Sequence, residues 1–383
     1  MSASLGCVVQ GYVATPVATR PVATQPVSTP PDTAPPGATP PVATPSDPKS
    51  ISMLALGEGS TCSLSAAGQI RCWGHNHYGA LGTDRDGNVT GIDGQVRAIA
   101  AGGHQQCALT STGDVWCWGS NLEGAVGNGQ VAESEKPVLK PIRVAGISRV
   151  KSLHLGDKIS CALTQDSALY CWGRNLHHEI DSSSTKMLTS PTRVSGTGRV
   201  DIVAVGNYHI CYATNGRVQC TGNLEPLNAD ISGLRNVTSL SAGYQHSCAV
   251  YDGGKVSCWG GDYLGVLGQG NQCAGVTNDG GECVSKMRAP VIVPGIAPDA
   301  VEIAGNTYHT CVRHSTGAVT CFGSNQGGHF TDKLPKEPWQ KAIVLDGVVA
   351  DQVFVGGGHV CTMRAGAFTC RGNDGEGAVS GGH

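Results

Sequence analysis

The chain has 383 residues, among them 55 glycines and 17 cysteines, and its formal net charge at pH 7 is −3. Because charge is sparse and nearly balanced, the chain lacks the strongly basic field that holds nucleic acid, and we expect no nucleic-acid partner. Its apolar runs are also shorter than the roughly 18 residues that a membrane helix needs.

Residues 1–7 read MSASLGC and end in Cys7. A secretory signal needs a charged start and an apolar region of about 7 to 15 residues, and the sequence as written has neither. Ser4-Leu5-Gly6-Cys7 nevertheless resembles the end of a bacterial lipoprotein signal, in which the cysteine becomes the lipidated first residue of the mature protein. We therefore expect a true start upstream and a lipid anchor at Cys7; the alternative is a stray cysteine in a disordered tail.

Residues 8–50 are rich in Pro, Thr, Ala and Val, and PVAT recurs at Pro16, Pro21 and Pro41. Proline at this density prevents helix and sheet and favours the polyproline II conformation, which advances roughly 3.1 Å per residue. The segment is predicted to be a disordered stalk, whose threonines could carry sugars.

From about Ile51 to the end of the chain, one pattern recurs seven times at intervals of 37 to 63 residues. Each copy reads as an apolar strand that ends in glycine, a polar turn, and a hairpin that begins and ends at a cysteine. Pro-x-x-Val segments at Pro141, Pro191 and Pro290 indicate a fourth strand, at an edge where proline is tolerated. Residues 51–383 are therefore predicted to form an all-β, seven-bladed propeller of four-stranded blades.

Each repeat is predicted to carry one disulfide across its hairpin. The paired cysteines are ten positions apart in five copies and nine in two, and the turn shortens in step, from three residues at Ala66–Gly68 to the two-residue Asn215-Gly216. Zinc knuckles would need about two to four intervening residues, and a metal would not impose this compensation. Each bridge should contribute about 2 to 3 kcal/mol, and such bridges place the protein outside the cytosol. The pairs are Cys62 with Cys72, Cys107 with Cys117, Cys161 with Cys171, Cys211 with Cys220, Cys248 with Cys258, Cys311 with Cys321, and Cys361 with Cys370.

An insertion at residues 261–288 is the longest excursion from the repeat and holds an eighth predicted disulfide, Cys273 with Cys283. A stapled loop is pre-organised, which lowers the ordering cost of binding. Tyr263, Leu264 and Met287 are the candidate partner-binding residues. The alternative is a long loop that only needs restraint.

Three repeats depart from the pattern. The turn of the third, Gln165-Asp166-Ser167, lacks glycine. The fourth has Thr221-Gly222 in place of Trp-Gly and is the shortest, so we expect its blade to be the weakest. The last repeat ends without a Pro-x-x-Val strand, whereas extra chain precedes the first repeat. We therefore expect residues near Pro41 to Thr44 to pair with the seventh blade and close the ring.

The repeat resembles that of the regulator of chromosome condensation family, in a bacterial, secreted, cysteine-paired form. The second copy carries the resemblance from Gly102 to Gly127, GGHQQCALTSTGDVWCWGSNLEGAVG, and seven copies cover residues 51–383. The family includes a eukaryotic guanine nucleotide exchange factor that acts in the nucleus, and we do not expect that activity in a disulfide-bonded protein. It also includes secreted bacterial propellers that bind β-lactamases with loops on one face, which implies a protein-binding role.

Histidines recur near the first cysteine of five copies: His104 stands three residues before it, and His209, His246, His309 and His359 stand two before it. They could ring a metal, but repeats reuse one solution to satisfy buried polar groups, so we expect them to bond the backbone where blades meet. The loop sequence His177-His178-Glu179 is a further metal candidate that we do not favour. We expect neither a metal nor a cofactor.

The sequence shows no catalytic motif, and Asp84, Asp86, Asp166 and Asp262 are scattered near turns. We expect a monomeric, non-catalytic binding or scaffold protein that presents propeller-face loops to a protein partner. It would lie at the cell surface or on the outer membrane, held there only through the lipid anchor, or else be secreted. The alternatives are a carbohydrate-binding propeller and an extracellular enzyme with a site in the central channel.

Overall fold

The computed structural model describes residues 50–131, 136–223, 231, 233–270, 285–326, 328–330, 339–372 and 377–379. The predicted lipidation site at Cys7, the stalk up to residue 49 and the Cys273 to Cys283 pair lie outside these residues, as does the pairing predicted near Pro41 to Thr44. In the described part of the chain, no helix is long and apolar enough to cross a bilayer.

The described strands form seven antiparallel sheets, which are the seven blades in chain order. Blades one to three contain β1 (Ile51–Leu56), β2 (Ser60–Ser65), β3 (Ile70–Gly74) and β4 (Gly87–Asn88); β5 (Val96–Ala101), β6 (Gln105–Thr110), β7 (Val115–Gly119) and β8 (Val138–Arg143); and β9 (Val150–Leu155), β10 (Ile159–Thr164), β11 (Leu169–Gly173) and β12 (Leu188–Arg193). Blades four and five contain β13 (Ile202–Val205), β14 (His209–Thr214) and β15 (Arg217–Gly222), then β16 (Ser239–Ala242), β17 (His246–Tyr251), β18 (Lys255–Asp262) and β19 (Ser285–Ile292). Blades six and seven contain β20 (Ala300–Gly305), β21 (His309–His314), β22 (Ala318–Ser324) and β23 (Trp339–Val349), then β24 (Gln352–Val355), β25 (His359–Arg364) and β26 (Ala367–Gly372).

The first strand of each blade lies innermost and contacts the first strand of the next blade, and β24 contacts β1. These contacts close the ring, and the seven-bladed propeller predicted from the repeats is confirmed. Blades four and seven have three strands each among the described residues.

The Pro-x-x-Val segments do mark outer strands, because Pro141, Pro191 and Pro290 lie in β8, β12 and β19. The outer strands of blades one and six, β4 and β23, carry no such segment. Proline is therefore one route to an edge strand rather than a requirement.

The predicted hairpin turns are also confirmed. Gly68 closes the turn after β2 with φ +81°, and Asn215 and Gly216 take φ 50° and 70°, as a two-residue type I′ turn requires. In the third blade Ser167 adopts φ 65° at the position where other copies have glycine. The turn geometry is thus kept where its usual residue is missing.

All seven predicted cross-hairpin pairs lie at disulfide distance, with Cα atoms 4.0 to 4.1 Å apart. In each case the two cysteines are directly opposite in the strand register, as for Cys107 and Cys117. The shorter fourth hairpin keeps Cys211 opposite Cys220. The change in turn length is therefore compensated, as the cysteine spacing predicted.

The core lies between blades, where a tryptophan after the second cysteine packs against the preceding blade. Trp118 and Trp172 are buried, and their Nε1 groups donate to the carbonyls of Ala80 and Ala125 in the preceding blade. A Cβ on Gly82 would lie 2.8 Å from Trp118 Nε1, which explains the glycine of the Gly-x-Leu-Gly motif. In the fourth blade the Thr221 hydroxyl makes the equivalent bond, to the Glu179 carbonyl (2.6 Å).

Candidate functional site

One face of the propeller is built from the loops that join first to second strands and the loops that leave third strands; we call it the loop face. Its inner loops are joined by backbone bonds from blade to blade, including Glu58 N to Gly103 O (2.8 Å) and Gly357 N to Gly57 O (3.0 Å). The scaffold therefore holds these loops in a fixed ring, while the residues at their tips differ between repeats.

Four of the recurrent histidines lie buried at blade junctions beneath the loop face. A hydrogen bond joins His209 Nε2 to Ser247 Oγ (2.7 Å), His246 Nε2 to Thr310 Oγ1 (3.2 Å), and His359 Nε2 to Thr61 Oγ1 (2.9 Å). The partners are hydroxyl side chains of the next blade, whereas we had predicted bonds to backbone. The scaffold interpretation explains these three histidines.

His309 is the fourth member of this set, and among the described residues no side chain of the next blade bonds its ring nitrogens. Its ring lies 5.1 Å from that of His329, centroid to centroid. Burial lowers the pKa of His209 to about 4 and that of His246 to about 3, and it also lowers the pKa of His309. All three side chains are therefore neutral at physiological pH.

His104 does not belong to this set. Its place at the junction is taken by Gln105, which is buried and donates from Nε2 to the carbonyl of Gly156 (2.8 Å). The His104 side chain lies on the loop face, where its Nε2 is 3.1 Å from Glu58 Oε2. The one-residue offset of His104 in the sequence is therefore a real difference in position.

A row of three tyrosines crosses the half of the loop face that belongs to blades four to six; we call Tyr208, Tyr244 and Tyr308 the tyrosine row. The ring centroids of Tyr208 and Tyr244 are 5.1 Å apart, and those of Tyr244 and Tyr308 are 6.1 Å apart. Tyr308 is 38% exposed, and the other two are half-buried. The hydrogen bond with Tyr208 and partial burial raise the pKa of Tyr244, so the Tyr244 phenol is neutral at physiological pH.

Arg174 fixes one end of the tyrosine row. Its guanidinium carbon lies 4.5 Å from the ring centroid of Tyr208, which is the geometry of a cation–π contact. Glu123 and Glu179 hold the guanidinium from the other sides, with N to O distances of 3.2 and 3.4 Å. Because Glu179 is fully buried, this arrangement restricts the Tyr208 ring before any ligand arrives.

A pocket of about 500 Å³ occupies the other half of the loop face, where blades seven, one and two meet. Its floor contains the glycine backbone of Gly59 and Gly358. Besides the buried His359, the side chains of Glu58 and four more accessible rings line it, and we call it the four-ring pocket. The rings are His75, His77, Tyr78 and His104.

The residues predicted to bind a partner in the insertion are only partly described. Leu264 is half-buried with φ 58° in a short 3₁₀ turn, Tyr263–Gly265. Met287 pairs with Gly260 in β19, so both ends of the predicted insertion are strand and the excursion is confined to residues 263–284. The side chains of Tyr263 and Met287 lie outside the described residues, so the candidate partner-binding site in the insertion stays a prediction.

The remaining candidates have structural contacts. Asp262 Oδ1 accepts the amide of Leu267, and Asp86 Oδ1 accepts the amide of Gly74. Glu179 Oε2 accepts the amide of His177, which commits the His-His-Glu sequence to its own loop. Across the described ranges, no group of three or more His, Cys, Asp or Glu side chains is placed to hold a metal ion.

The sequence interpretation missed the tyrosine row, although a signal was present. In three consecutive repeats a tyrosine falls between the residue that follows the first strand and the buried histidine: Gly206-Asn-Tyr-His, Gly243-Tyr-Gln-His and Asn306-Thr-Tyr-His. The tyrosine shifts by one position in the fifth repeat, so alignment on the cysteines hides it.

Comparison with known proteins identifies the repeat. Residues 112–163 match the Regulator of chromosome condensation (RCC1) repeat, and residues 96–125, 150–179 and 237–266 match a second profile of the same repeat. Among curated relatives, the probable E3 ubiquitin-protein ligase HERC6 of Homo sapiens is 25% identical over 50% of this chain and 20% of its own length. The ultraviolet-B receptor UVR8 of Arabidopsis thaliana is 26% identical over 33% of this chain and 34% of its own length.

This chain thus spans about a third or less of these two relatives. Among solved structures, Prp20p of Saccharomyces cerevisiae superposes with a TM-score of 0.64 at 21% identity, over 81% of this chain and 82% of that one. At this level of identity the superposition establishes a shared fold.

Proposed function

Because residues 96–179 and 237–266 match the regulator of chromosome condensation repeat, we propose that this chain is a non-catalytic binding protein that holds a protein partner on its loop face. The tyrosine row is the observation that carries this proposal. Tyrosine and arginine are enriched at the energetic centres of protein interfaces, where they supply large contact area at low entropic cost.

The geometry of the row suits binding for a second reason. Arg174 and the neighbouring tyrosine restrict the Tyr208 ring, and the inner loops are tied by backbone bonds. A rigid binding surface loses little side-chain freedom on association, so more of the contact energy appears as affinity. The relatives add support by analogy: Prp20p has binding properties toward Gsp1p and histones, and UVR8 is a receptor.

The proposal includes a place outside the cytosol, with Cys7 as a lipid anchor. Seven hairpin disulfides support it, because such bridges persist in oxidising compartments. A protein that acts there meets neither nuclear GTPases nor chromatin, so we do not assign it a nucleotide exchange activity. Mass spectrometry of the native N-terminus tests the anchor, and an unmodified Met1 would contradict it.

Site-specific photo-crosslinking tests the loop face as the binding surface. A photo-reactive phenylalanine at Tyr308 should crosslink a discrete protein from the surface-exposed fraction, whereas the same residue at Ser111, exposed in the turn before β7, should not. With the purified partner, Tyr308→Ala should weaken binding about 30-fold, which corresponds to roughly 2 kcal/mol.

Ile292→Ala is the matched control for this measurement, since Ile292 is 66% exposed on an outer strand away from the loops. It should leave the affinity unchanged. Equal crosslinking at both positions, or equal affinities of the two alanine variants, would contradict the proposal. Specific hits on a glycan array without a protein crosslink would favour the carbohydrate-binding alternative instead.

A further inference from the structure

The four-ring pocket is separate from the tyrosine row and differs from it in chemistry. Its rings form a closed circuit, with centroid distances of 5.6 Å from His75 to His77, 4.7 Å from His77 to Tyr78, and 4.6 Å from Tyr78 to His104. The circuit closes from His104 to His75 at 6.2 Å. The pocket therefore offers a guest both ring faces and ring edges within one small volume.

Glu58 supplies the charge of the pocket. The hydrogen bond from His104 lowers the pKa of Glu58, so the carboxylate is ionised at neutral pH. The Glu58 side chain is 55% exposed, which leaves room for a second partner beside His104. Glu58 is thus an oriented, accessible anion at the wall of an aromatic pocket.

Groups of both signs surround Glu58, and the imidazoles of His75 and His104 act on it as well as Asp157 and Lys158. Asp157 lies close enough for its charge to act together with that of Glu58, although burial raises the pKa of Asp157. Lys158 also acts on Glu58, but its Nζ is 3.4 Å from Glu123 Oε1 and is neutralised there. Among the residues that line the pocket, Glu58 is therefore the one carboxylate, and the lysine that acts on it is paired with Glu123.

We propose that the four-ring pocket receives an arginine or lysine side chain of the protein partner, with Glu58 as its counter-ion and the rings of Tyr78 and His104 as its walls. A cation over an aromatic face is attracted by the ring quadrupole, and a planar guanidinium also stacks on the ring while it donates to a carboxylate. Arginine is the better fit for that reason. That a protein partner supplies this side chain rests on the proposed function, whereas the binding of a cation in the pocket does not.

The probe is N-acetyl-arginine amide, compared with N-acetyl-citrulline amide, which has nearly the same shape and no charge. Binding to the full chain is followed by saturation-transfer NMR and titration calorimetry. The arginine amide should bind with a millimolar Kd, and the citrulline amide at least tenfold more weakly. Glu58→Gln, which keeps the shape and removes the charge, should weaken arginine amide binding at least tenfold.

Asp93→Asn is the control, because it makes the same change in net charge at an exposed position outside the pocket. It should leave arginine amide binding unchanged. Equal binding of the two amides, equal binding by Glu58→Gln and the parent chain, or preferential saturation of a neutral sugar would overturn the pocket assignment.

The two proposals fail separately. Tyr308→Ala should leave binding of the arginine amide unchanged, while it weakens binding of the protein partner. If the arginine amide does not bind but Tyr308→Ala still loses the partner, the pocket inference is wrong and the proposed function stands. If the amide binds and Tyr308→Ala still binds the partner, the pocket inference stands and the proposed function is wrong.

Discussion

The junction between blades five and six and the junction between blades six and seven carry the same histidine with different partners. His246 bonds the Thr310 hydroxyl at 3.2 Å, whereas His309 faces a blade whose equivalent residue is Val360, which has no hydroxyl to offer. His309 packs against the rings of His329 and Phe330 instead. A conserved position within the repeat does not by itself define the interaction, because half of each interaction comes from the next repeat.

The largest expected effect is a loss of stability in mild acid. His209 and His246 have folded pKa values of about 4 and about 3, below the ordinary value of 6.5. The unfolded chain therefore binds more protons, and stability is complete above pH 6.5 and lost as the pH falls toward the folded values. At pH 5 each histidine should cost about 2 kcal/mol relative to pH 7.5, measured by urea unfolding with the disulfides intact.

His209→Gln is the informative variant, because Gln105 already fills this position in the second blade. It should remove the share of His209, about 2 kcal/mol, from the loss between pH 7.5 and pH 5, while the other buried histidines keep theirs. Ordinary carboxylates titrate below this window, and burial raises the pKa of Asp157 and Asp262, whose contribution has the opposite sign. An unfolding free energy that is the same at both pH values would show that the junction histidines do not act in this way.

The next largest loss of stability should come from a change that makes the junction between blades five and six resemble the junction between blades six and seven. Thr310→Val keeps the shape of the side chain but removes the hydroxyl that His246 bonds, which leaves a buried imidazole nitrogen unsatisfied. The expected cost is about 1 to 3 kcal/mol in the free energy of unfolding at pH 7.5. Ser241→Ala is the control, since its buried hydroxyl has no described partner. If both variants cost the same, the histidine bond contributes nothing.

The fold was predictable because its signals are local and repeated. Cysteine spacing, turn length and the Pro-x-x-Val segments each act within one hairpin or one strand, and seven copies average out the exceptions. Ser167 and Thr221 show why exceptions do not break the fold. Ser167 takes the turn conformation usual for glycine, and Thr221 replaces the hydrogen bond usual for tryptophan.

The candidate site was much less predictable, because it depends on residues from different blades. The four-ring pocket joins Glu58 to His104 across 46 positions, and Arg174 meets Glu123 across 51 positions. No periodic pattern relates such pairs, since they lie where the repeats differ. The insertion is visible in the sequence because it is long, whereas the tyrosine row consists of single substitutions in short turns.

The smallest expected effect is a gain in stability, from a type of substitution that normally lowers stability. Val360→Thr places a hydroxyl where Thr310 and Thr61 stand in other blades, within a site that is 3% exposed. A valine-to-threonine change in a core normally destabilises, because it buries a polar group. Here the hydroxyl should bond His309, and the free energy of unfolding should rise by about 0.5 to 1.5 kcal/mol. Val319→Thr, at a buried site in β22, should show the ordinary loss; a similar loss in Val360→Thr would mean that the two junctions differ by more than one hydroxyl.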